Sequence, residues 1–490
     1  MRGARNPTVP GQPGPSPDDD ELYAARPEIY QQSVAGRLRT IKWAILFGCL
    51  GIYYFLPFVR WYRGPNLPNQ AVLVDLANNR FYFFFIEIWP QEIYYVTGLL
   101  VLAALVLFLM NAIAGRVWCG YLCPQTVWTD LFMTVERWLE GDRRERMLAD
   151  KGPMTAERFL RKVAKHALWL VIAWWTGGAW VLYFADAPTL VRELATFQAP
   201  AVAYASIAVL TFTTYALAGL MREQVCLYMC PWPRIQAALT DEYALNVTYR
   251  RDRGEPRMSV KAAVRAAAAG EPAGDCVDCR QCVVVCPTGV DIRAGSQMGC
   301  IQCGLCIDAC NSVMTKVGRP QGLIAYDNDV NIERRAAGLE EIYPIVRVRT
   351  VLYAVLIAVV GLVMLYGLWN RSFTDISVIH ERNPMFVRLS DGAVRNAYTI
   401  RVLNKRSQAR LFLLAVDDLP MATRVGAVGS LPSDGPWPLL EVGPDQTRDF
   451  VVHVTVPAGA ALAASTPMAF RLTELGTGDV AVGQDHFVSR

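Results

Sequence analysis

Cys276-Val-Asp-Cys279-Arg-Gln-Cys282-Val-Val-Val-Cys286-Pro287 is followed by Cys300-Ile-Gln-Cys303-Gly-Leu-Cys306-Ile-Asp-Ala-Cys310. In each run three cysteines stand three residues apart and a fourth follows four residues later. Bacterial dicluster ferredoxins hold two [4Fe-4S] cubanes with this spacing, three thiolates wrapping one cluster while the fourth crosses to the other. The pattern assigns Cys276, Cys279, Cys282 and Cys310 to one cluster, and Cys300, Cys303, Cys306 and Cys286 to the second. Two-residue spacers alone also suit zinc, but the doubled four-cysteine pattern favours iron-sulfur chemistry. Asn311 stands where a proline often follows the second set, which changes the turn and not the ligand count.

The flanking sequence says where these clusters work. The chain is 53% hydrophobic over 490 residues, high for a soluble protein, and its net charge is only +4. Without a basic stripe interleaved with aromatics, nucleic-acid binding has no support. A bilayer core about 30 Å thick needs roughly 20 apolar residues in a helix. Five charge-free stretches approach that: Trp43 to Val59, Ile93 to Ala114, Ala167 to Phe184, Ala199 to Met221 and Val351 to Trp369. Membrane lipid is therefore an expected partner. The aromatic run Phe81 to Trp89 is too short to cross, contains Glu87, and reads as interfacial. The first 40 residues are polar and give no cleavable signal.

Ten Lys and Arg residues lie between the second and third stretches, from Arg116 to Lys165, whereas the loop between the third and fourth offers only Arg192. By the positive-inside rule the former loop is cytoplasmic. Arg60, Arg63 and Arg80 count against this, but the balance places the N-terminus and the clustered cysteines inside and residues 371–490 outside. The outer segment alternates as strands do, in Tyr398 to Leu403 and Phe450 to Val456, with turns such as Pro432-Ser-Asp-Gly435, and predicts a β-sandwich. Its histidines, His380, His453 and His486, are far apart in sequence and do not read as a metal site.

A second signal is repeated: Cys119-Gly-Tyr121-Leu-Cys123-Pro124 and Cys226-Leu-Tyr228-Met-Cys230-Pro231. Both copies follow an apolar stretch at its cytoplasmic end. Cysteines at i and i+4 share a helix face, and the proline limits how far the helix runs on. Four sulfurs are thereby expected near one membrane-proximal point, a soft donor set suited to Cu(I), zinc or an iron-sulfur cluster. A structural metal site or reduced packing cysteines are the alternatives, since stable cytoplasmic disulfides are disfavoured. Cys49 reads as a packing residue and His166 as an interface residue.

With these motifs in order, the chain resembles the cytochrome c oxidase accessory family CcoG, also called FixG or RdxA. The resemblance rests on Trp118-Cys119-Gly-Tyr-Leu-Cys-Pro-Gln-Thr-Val-Trp128, on Met221-Arg-Glu-Gln-Val-Cys-Leu-Tyr-Met-Cys-Pro231, and on the doubled ferredoxin motif between apolar stretches. It implies a polytopic α-helical membrane protein with five transmembrane helices, an inserted bacterial-type dicluster ferredoxin domain and a C-terminal immunoglobulin-like β-sandwich. The expected parts are a cytoplasmic tail over 1–40, a membrane domain over 41–254, a ferredoxin-like domain over 255–345, a fifth helix over 350–370 and a periplasmic domain over 371–490. It further implies a bacterial inner-membrane cupric reductase serving assembly of a cbb-type oxidase. Copper is then the substrate at Cys119, Cys123, Cys226 and Cys230, oxidase assembly factors or subunits are the partners, and a cytoplasmic electron donor remains unidentified. Two other functions fit parts of the pattern: a quinol-oxidising membrane ferredoxin of the NapH and NosR kind, and a redox-sensing assembly scaffold without catalysis.

Overall fold

The computed structural model describes residues 29–64, 67–406, 408–420, 423–433, 435–460 and 462–489. Most of the expected 1–40 tail and Asp434 of the Pro432–Gly435 turn lie outside the described residues. The chain divides into two compact units, one built from residues 1–55, 103–181 and 197–355, the other from 56–102, 182–196 and 356–490.

Among the described residues four helices are long and apolar enough to cross a bilayer: Arg37–Phe58, Tyr94–Ala114, Ala201–Met221 and Val348–Trp369. The last buries none of its apolar stretch within the protein. A helix of such composition with its backbone bonds satisfied internally is what hydrocarbon demands. The stretch Ala167 to Phe184 lies mostly in the helix Ala156–Val181. This helix has the length to cross. Its first turns carry Arg158, Arg161, Lys162 and Lys165, and it stops at Val181, so its apolar part falls short of the other four.

In the first unit, Ala156–Val181 packs closely on Ala201–Thr214 through Gly177, where a Cβ would lie 3.0 Å from the Ile207 carbonyl oxygen. Small residues at such crossings let helix backbones approach. Trp169 is fully buried and stacks on Phe132 at 5.5 Å, and its indole N–H donates to the Phe132 carbonyl. Charged groups are buried beside this core in matched sets. Both Asp130 carboxylate oxygens accept from the Arg39 Nη1 at 2.8 and 2.9 Å with Lys42 nearby, and Glu136 meets Arg146, Lys165 and Arg222.

The cysteine-rich segment of the same unit is closed by an antiparallel pair, Asn246–Tyr249 on Ile324–Asp327. The ferredoxin-like domain therefore begins before residue 255. Four residues that the sequence reading left in the membrane domain supply its first strand.

The second unit contains the predicted sandwich. One sheet runs in the order Arg424–Ala427, Gln446–Val456, Val394–Asn404, Thr374–His380, with Val387–Arg388 also on Val394–Asn404. The other runs Leu439–Val442, Arg410–Asp417, Ser465–Glu474, Val480–Val488. Alternate residues point inward, as the two-residue period requires, so Tyr398, Ile400, Val402, Phe412, Leu414, Phe450, Phe470 and Phe487 fill one core. The run Phe81 to Trp89, read as interfacial, lies mostly in the strands Arg80–Phe83 and Ile86–Ile88 of a three-stranded antiparallel sheet with Val72–Asp75. Trp89 is buried there beneath the Arg80 guanidinium, 4.0 Å from the ring centroid.

Candidate functional site

The two ferredoxin-type runs fold alike. Asp278 and Arg280 in the first, and Gln302 and Gly304 in the second, occupy the left-handed region with φ of 49°, 54°, 56° and 72°. Three of these carry a Cβ, a conformation that costs on the order of 1–3 kcal/mol each unless the surroundings enforce it. Left-handed residues alternating with ordinary ones turn successive N–H groups to one side, an anion-holding hollow used by many iron-sulfur sites. The backbone N–H groups of Gln302, Leu305 and Ile324 donate to the sulfurs of Cys300, Cys303 and Cys310. Such N–H to sulfur bonds are among the levers that tune cluster potentials.

The fold brings the eight cysteines of the two runs near one another, and Cys282 of the first expected set neighbours Cys306 of the second. Burial pushes the Cys310 thiol up to about 12, and its neighbours Cys276 and Cys279 add to the shift. Burial also raises Cys300 to about 12 and Cys306 well above its ordinary value, with Cys286 acting on both. Cys282 neighbours Cys310 and Cys279 in its own set. Cys282, Cys286, Cys300, Cys303 and Cys306 line one small cavity of about 20 Å³. Buried soft donors, N–H groups aimed at them and φ values that cup the loop fit two cubanes.

The repeated motif departs from the expected geometry. Cys119 sits in the short helix Val117–Tyr121, but Cys123 is extended and caps a new helix, Pro124–Glu140, with Pro124 at its first position. Cys226 lies in a π-helical turn, Val225–Met229, and Cys230 is again extended before Pro231. The i and i+4 cysteines thus do not share a helix face. Proline lacks an N–H and fits a helix's first turn, so in the first copy Pro124 starts a new helix directly after Cys123, which belongs to that helix's cap and not to the helix of Cys119. The four cysteines still share a space: Cys119, Cys123, Cys226 and Cys230 all line one chamber of about 310 Å³, and Cys300 lines it with them. Cys119, Cys123 and Cys226 are half-buried and Cys230 is exposed. Burial pushes Cys119 and Cys226 up to about 12, and Cys123 reinforces both shifts. Among the described residues no three His, Cys, Asp or Glu side chains are close enough to hold a single ion. The thiols face a shared chamber and not a preformed tetrahedral site.

Polar residues absent from the sequence reading hold this chamber. Gln236, fully buried, accepts from the Cys119 thiol at 3.3 Å, and the Thr126 hydroxyl donates to the Cys119 carbonyl at 2.6 Å. The asymmetry between Gly120 in the first copy and Leu227 in the second was visible in sequence, but its meaning needs the neighbouring loop. His166 bonds the Tyr215 hydroxyl at 2.9 Å and packs on Trp169, and so is not a ligand here.

Comparison with known proteins agrees with these parts. Residues 221–329 match a 4Fe-4S dicluster domain, residues 96–142 a 4Fe-4S binding domain, and residues 364–490 the IG-like fold at the C-terminus of FixG. The chain is 49% identical to the nitrogen fixation protein FixG of Rhizobium meliloti over 464 residues, covering 89% of this chain and 88% of that protein. It is 48% identical to protein RdxA of Cereibacter sphaeroides over 462 residues, covering 93% and 96% of the two chains. Protein RdxB of the same organism is 51% identical over 409 residues, covering 82% and 84%.

Proposed function

The chain belongs to the FixG/RdxA family, and from that premise we propose that this iron-sulfur membrane protein reduces Cu(II) to Cu(I) at the chamber lined by Cys119, Cys123, Cys226 and Cys230. The observation that carries the reading is the shared wall. The four cysteines of the repeated motif and one cysteine of the ferredoxin-type set, Cys300, line the same space. Bound by the two sets of four cysteines, the clusters would supply one-electron storage and transfer. The chain's own residues do the rest. Cys119 and Cys226, the more enclosed thiols, take up the copper ion and release their protons as they bind. Reduction adds one electron to Cu(II), and thiolates favour the resulting Cu(I). Cys230 is the exposed thiol and the point at which Cu(I) is passed on. Gln236 orients Cys119.

The reading includes a cytoplasmic one-electron donor, delivery of Cu(I) toward assembly of a cbb-type oxidase, a fifth crossing by Ala156–Val181, and the N-terminus and cysteines inside with the sandwich outside. The Lys and Arg asymmetry supports that orientation.

A second reading has its own support. The 4Fe-4S binding domain matched over 96–142 contains only Cys119 and Cys123, and the chamber adds Cys226 and Cys230, enough for a third cluster. Anaerobic iron analysis separates the two. Copper reduction at the chamber requires about eight irons per chain, unchanged in a Cys119→Ser, Cys123→Ser variant that has lost Cu(I) binding. A parent with about twelve irons that drops to eight in that variant would make the chamber a third cluster site.

A further inference from the structure

We propose that the residues between and before the motif cysteines, Gly120, Tyr121 and Arg116, are positioning residues that seat the ligand loop Gly299–Cys303 against the four-thiol chamber, making the Cys286, Cys300, Cys303 and Cys306 set the exit toward that chamber. The inference rests on the copper reading above and adds a direction to it.

The loop lies between the two copies of the motif. On one side is Gly120, where a Cβ would stand 2.8 Å from the Ile301 carbonyl oxygen, 3.0 Å from the Cys303 Cα and 3.1 Å from its nitrogen. All three are backbone atoms, which cannot swing aside as a side chain can. On the other side is Leu227, at the equivalent position of the second copy. Its Cδ2 lies 3.0 Å from where a Cβ on Gly299 would be. A large residue in one copy and none in the other is what an off-centre loop between two repeats requires.

Hydrogen bonds then fix the loop along its length. The Tyr121 hydroxyl donates to the Cys303 carbonyl at 3.0 Å, and the Tyr326 hydroxyl to the Gln302 carbonyl at 2.7 Å. The Arg116 N–H donates to the Gln302 side-chain oxygen at 2.7 Å. The Arg116 guanidinium bonds the Met298 and Pro233 carbonyls and reaches the Cys300 carbonyl at 3.5 Å. Arg116 is aimed by Gly115, which ends the transmembrane helix at φ 52°, a conformation that suits glycine. The guanidinium is buried and interacts with both Cys119 and Cys300, a fixed positive charge shared by the chamber and the ligand loop. Buried backbone carbonyls must be paired, but a purely structural role would not require Tyr121, Tyr326 and Arg116 each to bond the one ligand segment that lines the chamber. Cys276, Cys279, Cys282 and Cys310 do not line it, and Cys279 is exposed. That set is the entry.

The test uses the full-length protein in detergent, reduced with dithionite, freed of excess reductant and mixed with Cu(II) in a stopped-flow instrument, alongside EPR of the reduced state and iron analysis. Gly120→Ala should keep parental iron and change the EPR signal of one cluster and not the other. Its reoxidation by Cu(II) should be measurably slower than the parent's, because the ligand loop must move away from the chamber wall to admit the Cβ. Parental reoxidation and EPR with iron intact would overturn the proposal. If Gly120→Ala loses iron, Tyr121→Phe carries the test, because it adds no volume: slower reoxidation at full iron content supports the seating role, and the parental rate overturns it. The Cys119→Ser, Cys123→Ser variant separates the two proposals. Parental reoxidation there defeats the copper reading, while the one-cluster EPR change in Gly120→Ala still decides the seating.

Discussion

Glu136 is a carboxylate with almost no solvent, its side chain 4% exposed, and three cations surround it: Arg222 at 2.8 Å, Arg146 at 2.9 Å and Lys165 at 3.4 Å. It joins the two halves of the motif repeat. It lies on the helix that begins after Cys123, while Arg222 precedes Cys226 by four residues and holds a left-handed φ of 46° at the end of the third apolar helix. Burial alone would raise the Glu136 carboxyl, but Arg222, Arg146 and Lys165 outweigh it and hold the group below its ordinary value. Glu136→Ala takes the carboxylate from Arg222 and Arg146, while Lys165 keeps Glu140 at 2.8 Å, and removing one partner of a buried ionic set costs about 3–5 kcal/mol. For a unit of this size that is a fall in melting temperature on the order of 10 °C. A thermal melt of the purified protein in detergent reads it directly, and Glu136→Gln, which keeps the shape without the charge, should fall in the same direction. Because the folded-state value is depressed, the contribution is present above the ordinary value of 4.5 and is lost as pH falls through the lower folded value. The gap between parent and variant should therefore close in acid. An unchanged melting temperature for Glu136→Ala at neutral pH would refute the reasoning.

Three further outcomes are expected. Burial and the nearby Asp445 raise the Glu87 carboxyl to about 7 although Arg80 lies at 3.2 Å, because one guanidinium serves two enclosed carboxylates. A raised carboxyl favours folding most below its unfolded value and loses that contribution as pH climbs through 7, so Glu87→Gln should flatten the stability change between pH 5 and pH 8 in thermal melts. Phe470→Ala, at the centre of the sandwich core, should cost about 3–5 kcal/mol and lower the C-terminal unfolding transition without changing iron content; loss of iron would count against two separate units. Alkaline phosphatase fused after Ser372 should be active and after Asp327 inactive, and the opposite pattern would invert the proposed orientation.

The parts of this protein written as local periodicity were readable from the chain alone. The apolar stretches, the strand alternation through Tyr398 and Phe450, and the ferredoxin spacing each express a backbone repeat or a ligand geometry that the sequence carries within a few residues. Four apolar helices matched to within a few residues. The helix Ala156–Val181 did not match as well, because lysines and arginines in its first turns are paired with partners from other elements, such as Glu136, that its own sequence does not announce. The i and i+4 reading of the cysteine motif failed for a local reason: Pro124 opens a helix, so an interval that would share a face within one helix is split between two elements. The strand Asn246–Tyr249 was missed because its partner lies far along the chain. Gly120, Gln236 and Gln302 were illegible in the same way, since each acquires its role only from a segment brought to it by the fold.

The central claim is that the four chamber thiols, and not the cluster ligands, are where copper is reduced. Steady-state formation of Cu(I) from Cu(II), followed anaerobically with a Cu(I)-specific chelator and a chemical reductant, tests it in the parent and in the Cys119→Ser, Cys123→Ser variant at matched iron content. The account predicts turnover in the parent and its loss in the variant with cluster iron retained, because hydroxyls are poor ligands for Cu(I). Turnover at the parental rate in the variant would contradict it.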